Sequence, residues 1–274
     1  TVEPGSQLFA AGDNIMFPIA YITKVEGRHN DVRVYDNFGW IFDNIFGEDF
    51  LEYNDLAQDR IRMDVQEKMV TDFAGKSYYS VGAKVDDISK LNSIQVGLIY
   101  RVLRKGESKD ALVNERMDAW KLYSTASLDD TKNHKDRFSR ELSAQFHLLY
   151  GNQLAELDRK DEAVAEYIKA RRIGRDSYWI RNNLCIGFDK LGNQMALKGD
   201  RDEVRLREEA ITDGKEATVL EPGNSEGYNN LAIVYTHLGR LEESARTYEK
   251  AIDLRPNFVP ASTISESAIS GRAI

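Results

Sequence analysis

The feature that most constrains the fold is a repeat in the second half of the chain. Its clearest copy runs over 225–258 and contains two helical segments joined at Gly239. Small residues stand where the two helices would touch, large residues fill the space between them, and Pro256 ends the second helix. One such unit cannot bury its apolar face alone, so copies must stack on one another. The repeat therefore predicts a stack of helix pairs.

Two further copies, 144–177 and 178–224, precede the clearest one. The middle copy is longer than the other two, and we expect the extra residues to lengthen both helices around a turn at Gly199. Gly214 stands where the repeat usually has an aromatic residue, which predicts loose packing there. The pattern is that of the tetratricopeptide repeat, and three copies are enough for a stable stack. We therefore predict an all-α tetratricopeptide-repeat stack over 144–258.

The first part of the chain has a different pattern, in which short apolar strands alternate with helical segments. The predicted strands and helices are, in chain order, strand 7–11, helix 17–26, strand 31–35, helix 55–74, strand 77–81 and strand 96–102. This alternation predicts a small α/β layer with a partly parallel, Rossmann-like sheet. The predicted order is an α/β domain at 1–106, connecting helices at 107–143, the repeats, and a C-terminal tail at 259–274.

Charge and composition exclude one class of function. The chain has a net charge of −8, and its 42% of hydrophobic residues is typical of a folded protein. The acidic excess is spread along the whole chain, whereas a nucleic-acid-binding protein concentrates basic residues on one face or segment. We therefore predict no nucleic-acid partner.

Signatures of catalysis and of metal binding are missing from the sequence. Cys185 is the only cysteine, which excludes an intramolecular disulfide and a thiolate zinc site. The segment Gly75–Ser77 resembles the end of a phosphate-binding loop, but Val70 stands where that loop needs glycine. The four histidines lack metal-ligand spacing: His29, His134, His147 and His237. We predict no catalytic residue, no metal and no cofactor in this chain.

Two pairs of polar residues follow the first two predicted strands. Asp13 and Asn14 come after the first strand, and Asp36 and Asn37 after the second. If these strands are parallel neighbours, both pairs lie at the carboxyl edge of the sheet, where open α/β sheets bind ligands. This arrangement is one hypothesis for a small-molecule-binding or hydrolytic site that uses Asp13 and Asp36. The alternative is that the pairs cap helices beginning near residues 17 and 38.

A second candidate site is the concave face of the repeats, which the first helix of each copy lines. Amide side chains there are suited to hydrogen-bonding an extended peptide, whereas lysines that would clamp a terminal carboxylate are absent. The predicted groove residues are Asn152, Trp179, Asn182, Asn183, Glu226, Asn229 and Asn230. For Trp179 the alternative is packing between two repeats. The predicted partner is a protein or a peptide.

Residues 1–105 resemble a soluble region of a membrane-protein family. The motifs concerned are 8–14, which contains Gly-Asp-Asn, then 25–34, which contains Glu-Gly-Arg and Asp-Val-Arg-Val, and 97–102, which reads Gly-Leu-Ile-Tyr-Arg-Val. They are similar to segments that follow the transmembrane helices in the protein O-mannosyltransferase-like group of multi-pass proteins. Helical repeats follow that region in the group, as they do here.

The resemblance implies a non-catalytic, extracytoplasmic domain of a glycosyltransferase-like membrane protein, periplasmic in a bacterium. A preceding membrane domain would tether the chain to the inner membrane, and the missing initial methionine fits a fragment of a longer protein. The chain itself contains neither a signal peptide nor a long apolar stretch. The alternative is a free-standing repeat scaffold, which would also be compatible with a cytoplasmic location.

Overall fold

A computed structural model describes residues 2–80, 91–123, 128 and 136–256. The chain divides into two compact units, residues 1–124 and residues 125–274, which we call the N-terminal and C-terminal units. The predicted tail at 259–274 lies outside the described residues.

Within its described residues, the N-terminal unit contains a five-stranded sheet and three α-helices. Its regular elements are β1 (Gln7–Ala10), α1 (Asp13–Ala20), β2 (Arg33–Asp36), α2 (Asp55–Asp72), β3 (Ser77–Ser80), β4 (Ser93–Val96), β5 (Ile99–Val102) and α3 (Val113–Lys121). A π-helical turn at Tyr21–Val25 continues α1, and a 3₁₀-helix at Glu48–Glu52 precedes α2.

The sheet is mixed, with strand order β2-β1-β3-β5-β4. β1 pairs in parallel with both β2 and β3, whereas β5 is antiparallel to both of its neighbours. Every residue of β1 and of β3 is buried, and Phe9 stacks on Tyr35 and Tyr79, with ring centroids 5.6 and 4.9 Å away. The sheet is thus partly parallel, as predicted, and the first two strands are parallel neighbours.

Two local predictions in this unit are wrong. The single strand predicted at 96–102 is a hairpin, because Gly97 takes a φ of +63°, which reverses the chain between β4 and β5. The predicted helix near residue 38 is absent, and an irregular loop extends to the 3₁₀-helix.

The first of the predicted connecting helices packs on the sheet. Ala119 of α3 contacts Ile94 and Val96 of β4, and the Arg116 guanidinium donates a hydrogen bond to the Gln95 carbonyl at 3.0 Å. Compact packing therefore extends past the domain end predicted at residue 106, and the division between units falls at 124/125.

The described residues of the C-terminal unit form a stack of six helices in three pairs. The pairs are α4 (Arg137–Glu156) with α5 (Lys160–Ile173), α6 (Tyr178–Leu197) with α7 (Asp202–Leu220), and α8 (Ser225–His237) with α9 (Leu241–Leu254). Each helix packs against the next, and α6 also contacts α4 and α8. The helices of the middle pair are longer than those of the last pair, as predicted. α4 begins at Arg137 and continues without a break past residue 144, where the predicted first copy starts.

The three turns within the pairs share one backbone conformation. Asp158, Gly199 and Gly239 have φ values of +62°, +67° and +72°. In each turn, the next residue donates its backbone N–H to the carbonyl five residues earlier, at 2.9 Å. This left-handed termination satisfies carbonyls at the end of the first helix. The common turn sets the same pairing geometry in all three copies.

Packing at Gly214 is tight, contrary to the prediction of loose packing. A Cβ atom at this position would lie 2.9 Å from the Cys185 Sγ and 3.0 Å from the Leu231 Cδ1. At the equivalent positions of the first pair, Gly151 lies against Tyr167. At those of the third pair, Ala232 packs against Tyr248. In each pair, therefore, the larger residue of one helix packs against a smaller residue of the other. Cys185 is fully buried, and burial raises the pKa of its thiol.

Gly214→Ala is expected to lower the free energy of unfolding of the C-terminal unit by about 1–2 kcal/mol, because overpacking outweighs the better helix propensity of alanine. Urea unfolding followed by far-UV circular dichroism measures the change. Gly223→Ala is the matched control, since no atom of the described residues lies within 4 Å of a Cβ built at this position. A second substitution, Cys185→Ala, should restore part of the loss, and no restoration would contradict the packing argument.

Candidate functional site

The carboxyl edge of the parallel strands brings two of the predicted site residues to one side of the sheet. Ala10 and Asp36 are paired at the carboxyl ends of β1 and β2. Asp36 therefore lies at the same edge of the sheet as Asp13, which comes three residues after the end of β1. Ser80 ends β3 at this edge, and its hydroxyl accepts the Ala11 N–H at 3.0 Å. The sequence did not single out Ser80.

The Asp36 carboxylate organises the loop that follows β2. It is 1% exposed, and each of its oxygens accepts two backbone N–H groups. The donors, at 2.9 to 3.1 Å, are Phe38, Trp40, Ile41 and Phe42. Burial raises the pKa of Asp36, but the four hydrogen bonds outweigh it, so its pKa lies below the ordinary 3.8. The carboxylate therefore stabilises a loop and caps no helix.

The other three residues at this edge have separate environments. Asp13 is exposed in the first turn of α1, whose N-cap residue is Gly12. Asn37 is buried, and its side-chain oxygen accepts a hydrogen bond from Gln66 at 3.4 Å. The side chain of Asn14 lies outside the described part of the structure. As ligand-binding residues, these four stay predictions.

A cavity of about 740 Å³ lies at the opposite edge of the sheet, lined by residues at the start of β3 and after the end of β5, including Ser77, Arg104 and Lys105. Since β3 and β5 are antiparallel, these segments share the edge away from Asp36. In the described ranges, no three His, Cys, Asp or Glu residues are grouped to hold a metal ion.

Three of the predicted groove residues form an amide cluster between α6 and α8. The Asn230 side chain donates to the Asn182 Oδ1 at 3.0 Å, and the Asn229 side chain donates to the Asn230 Oδ1 at 3.5 Å. Asn182 and Asn229 are buried. Among the described residues, the Asn229 Oδ1 is buried without a hydrogen-bond partner. The cluster thus joins two repeats and keeps one unused acceptor.

The remaining groove residues are not part of that cluster. Asn152 accepts a hydrogen bond from the Tyr167 hydroxyl at 2.8 Å, and Asn183 donates to the Trp179 carbonyl on its own helix at 2.8 Å. Trp179 is 37% exposed, and Glu226 is exposed in the first turn of α8. As groove residues, they too remain predictions.

α6 and α8 make a second polar contact, which involves two residues that the sequence did not single out. Asp189 and His237 lie two helical turns beyond Asn182 and Asn230, and the His237 Nδ1 is 2.9 Å from the Asp189 carboxylate. The equal spacing of seven residues, from Asn182 to Asp189 and from Asn230 to His237, could have predicted this contact. Polar contacts therefore recur along the seam between these two first helices.

Comparison with known families identifies one segment. Residues 225–258 match the family model of the tetratricopeptide repeat. This chain contains a tetratricopeptide repeat. The matched range coincides with the third predicted copy, and the helices before it continue the same tetratricopeptide-like stack. No curated protein matches the chain.

Solved structures similar to this chain are repeat domains of low sequence identity. The first TPR of Spaghetti (RPAP3), bound to an HSP90 peptide, is 19% identical over 49% of this chain and 96% of that chain, with a TM-score of 0.39. The Sgt2 TPR domain from Aspergillus fumigatus is 17% identical over 47% and 79%, with a TM-score of 0.38. YrrB, described as having an unusual peptide-binding site, is 16% identical over 57% and 81%, with a TM-score of 0.36.

The comparisons do not support the resemblance of residues 1–105 to the protein O-mannosyltransferase-like group. Within the described residues, no helix has the length and apolar character needed to cross a membrane.

Proposed function

We propose that the tetratricopeptide-like stack binds an extended peptide segment of a protein partner along the seam between α6 and α8. The observation that carries the proposal is the amide cluster of Asn182, Asn229 and Asn230. The Asn230 side chain is half-buried, and an asparagine amide can both donate to and accept from the backbone of an extended peptide.

The charges of the predicted groove favour a peptide without an acidic terminus. The seven predicted residues include one anion, Glu226, and no cation. A carboxylate-rich peptide would therefore meet repulsion at Glu226 and would find no ammonium or guanidinium group among these residues. Neutral or weakly basic peptides fit this face better.

The test begins with selection of short peptides on the intact chain from a random phage-displayed library. Affinities of the selected peptides are then measured by fluorescence anisotropy. Asn230→Ala is expected to weaken binding about tenfold, because it removes amide groups from the cluster. Thr212→Ala is the matched control, because its exposed hydroxyl donates a hydrogen bond to the Glu208 carbonyl of its own helix. Equal losses in the two variants would contradict the proposal, as would selection of acidic peptides.

The membrane-protein hypothesis is a separate proposal, supported by the motifs at 8–14, 25–34 and 97–102. Under it, the chain is an extracytoplasmic domain that follows a block of membrane spans. The gene sequence upstream of Thr1 tests it, and a coding region without such spans would leave the free-standing scaffold.

A further inference from the structure

One segment of the N-terminal unit combines acidic and aromatic residues and has no basic ones. Between Arg33 and Arg60 the chain contains no lysine, arginine or histidine. The same stretch contains seven carboxylates, Asp36, Asp43, Glu48, Asp49, Glu52, Asp55 and Asp59. Only negative charges occur over this stretch, whereas acidic and basic residues are mixed in the rest of the chain.

A stack of rings around one guanidinium holds this segment against α2. Trp40 stacks on Phe38 with ring centroids 4.7 Å apart. The Arg62 guanidinium lies 5.6 Å from the Phe38 ring and 5.5 Å from the Phe50 ring. Phe46 stacks on Phe50 at 4.6 Å. The loop after β2 and the 3₁₀-helix are thus held together, so the side chains that they expose belong to one ordered region of the surface.

That surface exposes large apolar side chains. Trp40, Leu51, Tyr53 and Leu56 are between 48% and 66% exposed. Several large apolar residues in one exposed region are typical of an interaction surface, whereas a single exposed residue is not. Tyrosine and tryptophan are also the residues most often found at the energetic centre of protein interfaces.

Unpaired carboxylates accompany these apolar side chains. Asp43, Glu48, Asp49, Glu52 and Asp55 are exposed, and none forms an ion pair with another residue that the structure describes. We call these five residues together with Trp40, Leu51, Tyr53 and Leu56 the acidic–aromatic face. Asp36 is not included, because the loop uses both of its oxygens.

We propose that the acidic–aromatic face binds a basic segment of a protein partner in which apolar residues alternate with lysine or arginine. Carboxylates attract the basic side chains, and the exposed rings of Trp40 and Tyr53 provide cation–π contacts as well as apolar area. The sign of the charge is opposite to what nucleic acid or an anionic membrane requires. The acidic–aromatic face belongs to the N-terminal unit, whereas the predicted peptide groove belongs to the C-terminal unit.

The test uses the intact chain and a fluorescein-labelled synthetic peptide in which lysine and arginine alternate with leucine and phenylalanine. Two counterparts replace every basic residue by glutamate or every apolar residue by serine. We expect binding of the first peptide, with both counterparts at least about tenfold weaker. The triple variant Asp43→Asn, Glu48→Gln, Glu52→Gln should weaken binding about tenfold, and Trp40→Ala by at least as much.

Matched variants separate this face from the overall negative charge. The triple variant Asp31→Asn, Asp64→Asn, Asp72→Asn removes the same charge from exposed positions outside the face, and Phe17→Ala removes an exposed ring from α1. Both controls should bind like the wild type. Equal losses in the two triple variants would overturn the proposal. So would sedimentation with vesicles of phosphatidylcholine and phosphatidylglycerol, or self-association of the chain that Trp40→Ala abolishes.

Discussion

Asp36→Ala is expected to destabilise the N-terminal unit by about 3–5 kcal/mol, because four backbone N–H groups lose their charged acceptor at once. No other carboxylate lies in the loop up to Ile41 to replace it. Urea unfolding followed by tryptophan fluorescence measures the effect. A Trp179→Phe background leaves Trp40 and Trp120 as reporters, both of which belong to the N-terminal unit.

The matched control is Asp43→Ala, an exposed carboxylate seven residues further along, which should change the stability by less than about 0.5 kcal/mol. Similar effects of the two substitutions would show that the hydrogen-bonded loop does not stabilise the unit.

The contribution of Asp36 also has a defined pH dependence. Its pKa is lower in the native state than the ordinary 3.8, so the native state keeps the carboxylate ionised where the unfolded chain is already protonated. The stabilisation is therefore complete above the ordinary pKa and is lost as the pH falls through the lowered native pKa. The difference in stability between wild type and Asp36→Asn should shrink below about pH 4. A difference that stays constant on acidification would contradict the assigned ionisation.

The repeats could be predicted from the sequence because their small and large residues recur at a fixed spacing. In 225–258, each small residue stands at a fixed spacing from the large residue that covers it, as Ala232 and Tyr248 show. The same spacing also predicted the longer helices of the middle copy. The prediction of loose packing at Gly214 was wrong, because it considered that one position by itself. In the structure, Cys185 and Leu231 occupy the space that an aromatic ring fills in the other copies.

The site residues were predictable only as residue types at expected positions. The parallel pairing of the first two strands correctly placed Asp13 and Asp36 at one edge. The Asp36 carboxylate accepts four backbone N–H groups because of the path that the loop takes after β2. That path could not be predicted from the spacing of apolar residues in the sequence. The amide cluster likewise needs the contact between α6 and α8, which joins Asn182 to Asn230 across two repeats.

The second large effect is expected from Asp213→Ala in the C-terminal unit. The Asp213 carboxylate is fully buried and accepts hydrogen bonds from Arg171 at 2.6 to 3.1 Å and from Arg181 at 2.7 Å. It lies on α7, whereas the two arginines lie on α5 and α6, so one anion joins two helix pairs. Removing one member of a buried ion pair leaves its partner charge without compensation, and we expect a loss of about 3–5 kcal/mol.

Far-UV circular dichroism during urea unfolding measures this loss, because most of the described helices belong to the C-terminal unit. Glu209→Ala is the control: Glu209 accepts from the same Arg171 at 2.7 Å but is more than a third exposed, so it should cost at most about 1 kcal/mol. The triple variant Asp213→Leu, Arg171→Met, Arg181→Met should be more stable than Asp213→Ala, because it removes both guanidinium groups that Asp213→Ala leaves without a carboxylate and fills the space of the missing side chain. If the triple variant is no more stable, the cost of Asp213→Ala does not come from uncompensated guanidinium groups.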